Sequence, residues 1–132
     1  MPGHRDWIIK ARGDLRAAQK LVAGDEENDN EILGIVAYHA HQCAEKALKA
    51  FLVYQHQKIP KTHDLEGLLE ECKKYDQHLM VLEKYIDYLS PYEMRTRYPD
   101  DQFSIDQSEA LDAITAAGKV LNILMKLVRI PS

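Results

Sequence analysis

One long helical stretch constrains this chain more than any other feature. HAHQCAEKALKAFL, from His39 to Leu52, carries a polar row of His39, Gln42, Lys46 and Lys49 beside an apolar stripe. Offsets of three and four stack the polar residues along one helix face. The full helix is expected over Glu31 to Gln57, roughly 40 Å at 1.5 Å per residue, with Val36, Ala40, Cys43, Ala47, Ala50 and Tyr54 as its core stripe. Small residues at Ala40, Ala44 and Ala47 let other backbones come close, which suits a central helix with neighbours on several sides. A row of donors and cations along the edge of such a stripe can receive a phosphate, a nucleotide or a partner helix.

The rest of the chain also reads as helix. Ile8, Ala11, Leu15, Ala18 and Val22 fall at helical spacing over Arg5 to Ala23, with Asp14, Arg16 and Lys20 off the stripe. Gly24 stops this first helix, and Asp25 to Asn30 reads as a solvated acidic loop. Pro60 closes the connection after the second helix. Thr62 is placed to cap a third helix whose first turn carries Asp64 and Glu66 and whose apolar face is Leu65, Leu68, Leu69 and Cys72. Asp76 restarts the pattern, and Leu79, Leu82, Tyr85, Ile86 and Leu89 define a short fourth helix that Ser90 and Pro91 end. Pro91 to Ser104 has no sustained period and reads as an ordered loop. Asp106 and Glu109 have the spacing of a capping box and open a last helix through Leu111, Ile114, Gly118, Leu121, Met125 and Val128, with Pro131 just beyond. With no strand pattern or hairpin dipeptide, the expected fold is all-α: an up-and-down four-helix bundle with an additional short helix, in one domain over residues 1–132.

Composition narrows the function classes. A net charge of −4 argues against coating nucleic acid through a bulk positive field, so any anion site must be local. Two cysteines, Cys43 and Cys72, are too few for a disulfide framework, and no charged segment followed by an apolar one opens the sequence, so a reducing cytoplasm is the expectation. No apolar run reaches the roughly 20 residues that span a bilayer.

No Glu-x-x-His pair of the di-iron bundles is present, and His39 with Cys43 would supply only two ligands from one helix, too few for zinc. There is no C-x-x-C, H-E-x-x-H, phosphate-loop or G-x-S-x-G pattern. No metal, cofactor or catalytic residue is therefore assigned. Two constellations remain. Gln42, Lys46 and Lys49 read either as a solvated helix edge, with Glu45 and Lys49 as an i,i+4 pair worth roughly 0.2–0.5 kcal/mol, or as groups facing a groove beside the loop Arg95 to Asp100. In that loop Arg95 and Arg97 offer forked donors for phosphate or carboxylate, and Tyr98 a ring for a base. The alternative there is an internal Arg97–Asp100 pair with Tyr98 packed on a helix. His63, beside Asp64, either satisfies a helix end or joins the site.

Taken in order, A-x-x-D-L-x-x-A at Ala11 to Ala18, YHAHQCAEKALKAFL at Tyr38 to Leu52, T-H-D-L at Thr62 to Leu65 and R-Y-P-D at Arg97 to Asp100 resemble the HEPN domain family over nearly the whole chain. The resemblance implies a bundle of four or five helices, a homodimer, and in prokaryotes a neighbouring minimal nucleotidyltransferase in a toxin–antitoxin or nucleotide-handling pair. It places Gln42, Glu45, Lys46, Lys49, His63, Tyr98 and Pro99 in the signature of the small-protein branch, which is thought to bind nucleotides. The ribonuclease branch carries R-x(4 to 6)-H near the last helix. No histidine follows His78 here, so that motif is absent. The expectation is a non-catalytic module in which Lys46, Lys49, Arg95 and Arg97 engage phosphate while Gln42 and Tyr98 orient a base or ribose. Two alternatives stand beside it: a metal-independent ribonuclease toxin using Arg95 or Arg97 with His39 or His63 supplied from elsewhere in the bundle or across a dimer, and a dimeric assembly module without a ligand.

Overall fold

A computed structural model describes residues 2–24, 29–95 and 104–129, except the side chains of Met94 and Arg95. Its described residues form helices α1 (His4–Gly24), α2 (Asn30–Tyr54), α3 (Leu65–Lys73), α4 (Glu83–Leu89), α5 (Pro91–Arg95) and α6 (Gln107–Leu127), with a 3₁₀ turn over Gln77–Leu82. The expected acidic loop lies largely outside the described residues, as do Arg97, Tyr98, Pro99, Asp100 and Pro131.

The central role read for the second helix holds. α2 packs against α1, α6, α3, α4 and α5. Its buried residues include Leu33, Val36, Ala40, Cys43, Ala44, Ala47, Leu48 and Phe51, spread around much of the helix. Alanine at the crossing points is what lets so many neighbours approach one rod. α1 runs antiparallel to it: His4 meets Tyr54, Trp7 meets Lys49, and Asp14 meets His39 and Lys46. α6 starts at the same end as α2, where the Ile105 N–H donates to Asn30 Oδ1 at 3.0 Å. That is the relation between the second and last members of an up-and-down bundle. α3 on α2, α4 on α6, and α3 against α4 close the remaining side, and one hydrophobic cluster extends from Ile8 to Val128.

Several boundaries differ from the sequence reading. α2 ends at Tyr54 rather than Gln57, because His56 takes φ 59°, the left-handed conformation that stops a helix. The cap of α3 is Asp64; Thr62 instead accepts the Asp64 N–H through Oγ1 at 3.0 Å. The short fourth helix opens as the 3₁₀ turn before becoming α4. α4 ends at Leu89 before Ser90 and Pro91, as expected, but Pro91 also starts a helix: a first-turn proline needs no N–H partner, so Pro91–Arg95 is α5 where an irregular loop was expected. Asp106 and Glu109 form the expected capping box.

Leu121, Met125 and Val128 are buried as expected, but the first half of α6 turns a different face to the core from the one read off its large side chains. Leu111 is exposed and Ile114 only half-buried, whereas Ala110, Ala113, Ala117, Val120 and Leu124 are buried. α6 lies against both α2 and α1, and alanines admit that double contact where leucines would hold the backbones apart.

Both thiols are inside. Burial pushes Cys43 up, with Asp14 adding to the effect, and pushes Cys72 up to about 12. Cys72 Sγ also points at the Leu48 carbonyl at 3.5 Å. Thiolate is the reactive form, so neither cysteine is expected to react with a disulfide reagent at pH 8 in the native protein, and both should react once urea unfolds it. Rapid native labelling would contradict the packing described.

Candidate functional site

The α2 polar row is neither a solvated edge nor a line of free cations. Lys46 Nζ donates to Asp14 Oδ2 at 2.6 Å, and His39 Nδ1 lies 2.9 Å from the other oxygen, Oδ1. Three residues past Gln42 the arrangement repeats. Lys49 Nζ donates to Glu45 Oε2 at 3.0 Å, and His63 Nδ1 lies 2.9 Å from Glu45 Oε1. Each carboxylate thus holds one lysine and one histidine, and with a carboxylate accepting, Nδ1 is the protonated ring nitrogen. The expected Glu45–Lys49 pair forms, but both members are buried, with side chains 4% and 9% exposed. Lys49 Nζ also sits 5.7 Å from the centre of the Trp7 ring.

Gln42 lies between the two assemblies and is 8% exposed. Its Nε2 is buried and has no hydrogen-bond partner among the described residues; the Trp7 Nε1 is in the same condition. Trp7 also lines a shallow apolar depression of about 410 Å³ with Pro2, Asp6 and Lys10. Buried donors are nearly always satisfied, so two orphans on one stretch of the α1–α2 contact are unusual for a region whose only role is packing.

The structure therefore brings together His39, Gln42, Lys46, Lys49 and His63, all predicted site residues, around Asp14 and Glu45. It does not show their relation to the arginines. α5, which ends at Arg95, packs against α2 and α4 with Tyr92 buried, but the Arg95 side chain and the whole of Arg97 and Tyr98 lie outside the described residues. Charge balance alters the expected role of the lysines. Asp14 and Glu45 neutralise Lys46 and Lys49, so the described part of the site has no surplus positive charge while its histidines are neutral. Among the described residues no group of three or more His, Cys, Asp and Glu side chains is placed to hold a metal ion.

Asp14 is the member of this cluster that the sequence reading places off the core stripe. It lies three residues after Ala11 and four before Ala18, both wholly buried, so it occupies the apolar row itself and not a position off it. A carboxylate in a core row is the signal that would have found it, because burial there demands a partner. Trp7 was missed because a lone aromatic near a helix start carries no such signal.

An α-helical bundle with a paired, largely buried charge cluster between its first two helices defines a small protein whose polar chemistry is held inside a helix interface. The chain belongs to the HEPN domain family, which it matches over residues 4–128. It is similar to TT1696 from Thermus thermophilus, at 27% identity and a TM-score of 0.80, covering 96% of this chain and 98% of that one. It also shares its fold with ST0689, an archaeal HEPN homologue, at 22% identity and a TM-score of 0.71, covering 97% and 99% of the two chains. Comparison with curated proteins gave no match. No helix among the described residues is long and apolar enough to cross a membrane.

Proposed function

We propose that this HEPN domain is a non-catalytic, single-domain module of the cytoplasm that binds a nucleotide or another phosphate-bearing ligand on the α2 polar face. It works as a homodimer, paired with a minimal nucleotidyltransferase in a toxin–antitoxin-like system. The observation that carries the ligand reading is Gln42 Nε2, a buried donor without an acceptor among the described residues, flanked by Lys46 and His39. A ligand oxygen supplies that acceptor once the amide turns outward from the α1–α2 contact. Lys46, whose side chain is 25% exposed, offers further N–H donors, while Lys49 holds Glu45 and Trp7 in place. Arg95 and Arg97 add guanidinium charge, and Tyr98 a stacking surface.

Titration of ATP, GTP and a short RNA by calorimetry tests this against Gln42→Leu, Lys46→Ala and Arg97→Ala. Gln42→Leu is expected to weaken binding by about ten- to a hundredfold, the loss of one hydrogen bond to a charged group. The same change should raise unfolding stability by about 1 kcal/mol, because an unsatisfied buried donor is removed. Saturable binding that survives all three substitutions would rule the site out. Co-purification of a nucleotidyltransferase with the tagged chain tests the pairing, and sedimentation tests the dimer.

One observation favours a second reading. His63 is half exposed and oriented by a buried carboxylate, the arrangement of a general base. A metal-independent ribonuclease would cleave RNA in EDTA and lose that activity in His63→Ala or His39→Ala.

A further inference from the structure

Resting on the reading of this face as a phosphate-binding site, we infer that within its described part His39 and His63, rather than the lysines, supply the net positive charge, so that ligand binding draws protons onto the two imidazoles. Lys46 and Lys49 each meet a carboxylate at 2.6 and 3.0 Å, and a neutralised ammonium attracts an incoming anion only weakly. The groups able to change the balance are the rings on the opposite oxygens of the same carboxylates.

Both rings are positioned for it. Their Nδ1 atoms lie 2.9 Å from Asp14 Oδ1 and Glu45 Oε1, which leaves Nε2 as the atom that faces a ligand. Their side chains are 30% and 50% exposed, against 11% and 4% for the carboxylates beneath them. A neutral ring presents Nε2 as an acceptor and opposes a phosphate oxygen; a protonated ring donates from both nitrogens and binds the carboxylate and the phosphate together. Among the described residues, the charged groups facing His39 are Asp14 of α1 and, through it, Lys46 of α2, with the Tyr38 ring alongside. Those near His63 are Glu45 of α2 and, through it, Lys49, together with Asp64, its neighbour in the chain and the cap of α3. Each ring thus sees one carboxylate already shared with a lysine. Protonating both takes the described cluster from balanced to a surplus of two positive charges, placed on either side of the Gln42 donor.

Histidine changes charge between pH 5 and 8, a span over which carboxylates are ordinarily ionised already, and this fixes the direction of the effect. Affinity is highest where the free rings are already protonated and falls as pH rises, by about tenfold per pH unit for each proton that must be taken up. The site is then a proton-coupled receptor, tighter for its ligand in mildly acidic conditions.

Calorimetry of ATP binding between pH 6 and 8, in paired buffers of different ionisation enthalpy, measures the protons taken up. The wild type is compared with His39→Gln, His63→Gln and the double variant; the titration of ATP itself is common to all four and cancels in the difference. The expected result is proton uptake that drops in each single variant, and an affinity whose pH dependence flattens in the double variant. Equal proton uptake in wild type and double variant would overturn the inference and leave the binding site standing. Absence of ATP binding at every pH, in a protein that also fails to bind GTP and RNA, would remove the parent reading as well. Should a glutamine variant not fold, the imidazole proton resonances of the wild type serve instead. They are expected to titrate at higher pH with ATP bound than without, and an unchanged titration would overturn the proposal.

Discussion

Glu45→Ala is expected to lower the unfolding free energy by about 3 to 5 kcal/mol, the cost of leaving a buried charge without its partner. The stranded group is Lys49, whose side chain is 9% exposed and whose ammonium otherwise has the Trp7 ring as its neighbour. His63 loses its acceptor in the same step. Urea denaturation at pH 7 measures the effect, with helix content following the transition. A Glu45→Leu, Lys49→Met double variant should recover most of the loss, because well-packed apolar side chains replace a buried ion pair at little cost. Such a variant separates stability from function: folded, but without the His63 assembly that the ligand reading uses. A Glu45→Ala protein as stable as wild type would mean that Lys49 reaches water, contrary to its burial.

Phe51→Ala is expected to cost about 3 to 5 kcal/mol as well, through lost burial and the cavity left behind. Phe51 is 1% exposed and the largest fully buried side chain in the protein's described core. It stands one turn before the end of α2, where its carbonyl accepts the Gln55 N–H. Ile9, at 60% exposure, makes the matching control: Ile9→Ala should shift the same urea transition by no more than about 0.5 kcal/mol. A Phe51 loss below about 1 kcal/mol would place this end of α2 outside the cooperative core.

These two residues also show how far the primary structure could be read. Phe51 belongs to a helix whose period, length and alanine spacing announced a central member of an all-α bundle, and α2 is that member. The capping box at Asp106 and Glu109 was legible for a similar reason: a cap depends on residues three apart in the chain. The first half of α6 is not legible in that way, because Leu111 and Ile114 suggest one face whereas the packing selects Ala113 and Ala117, which let two neighbours approach at once. Pro91 marks the end of α4 legibly, but the helix it opens is not legible, because proline is compatible with both the end of one helix and the first turn of the next.

The site divides along the same line. Its row His39, Gln42, Lys46 and Lys49 could be written from offsets of three and four, since a helix converts sequence spacing into a shared face. That these residues are held in pairs by Asp14 and Glu45, and that Gln42 is left with an unsatisfied donor, depends on α1 and the segment before α3 lying against α2. The order of residues along the chain therefore determined the helices, their caps and which polar groups share a face. Only the packing of one helix on another decided which of those groups are neutralised, which are buried, and which still lack a partner, because burial and electrostatic pairing arise between segments that sequence spacing does not relate.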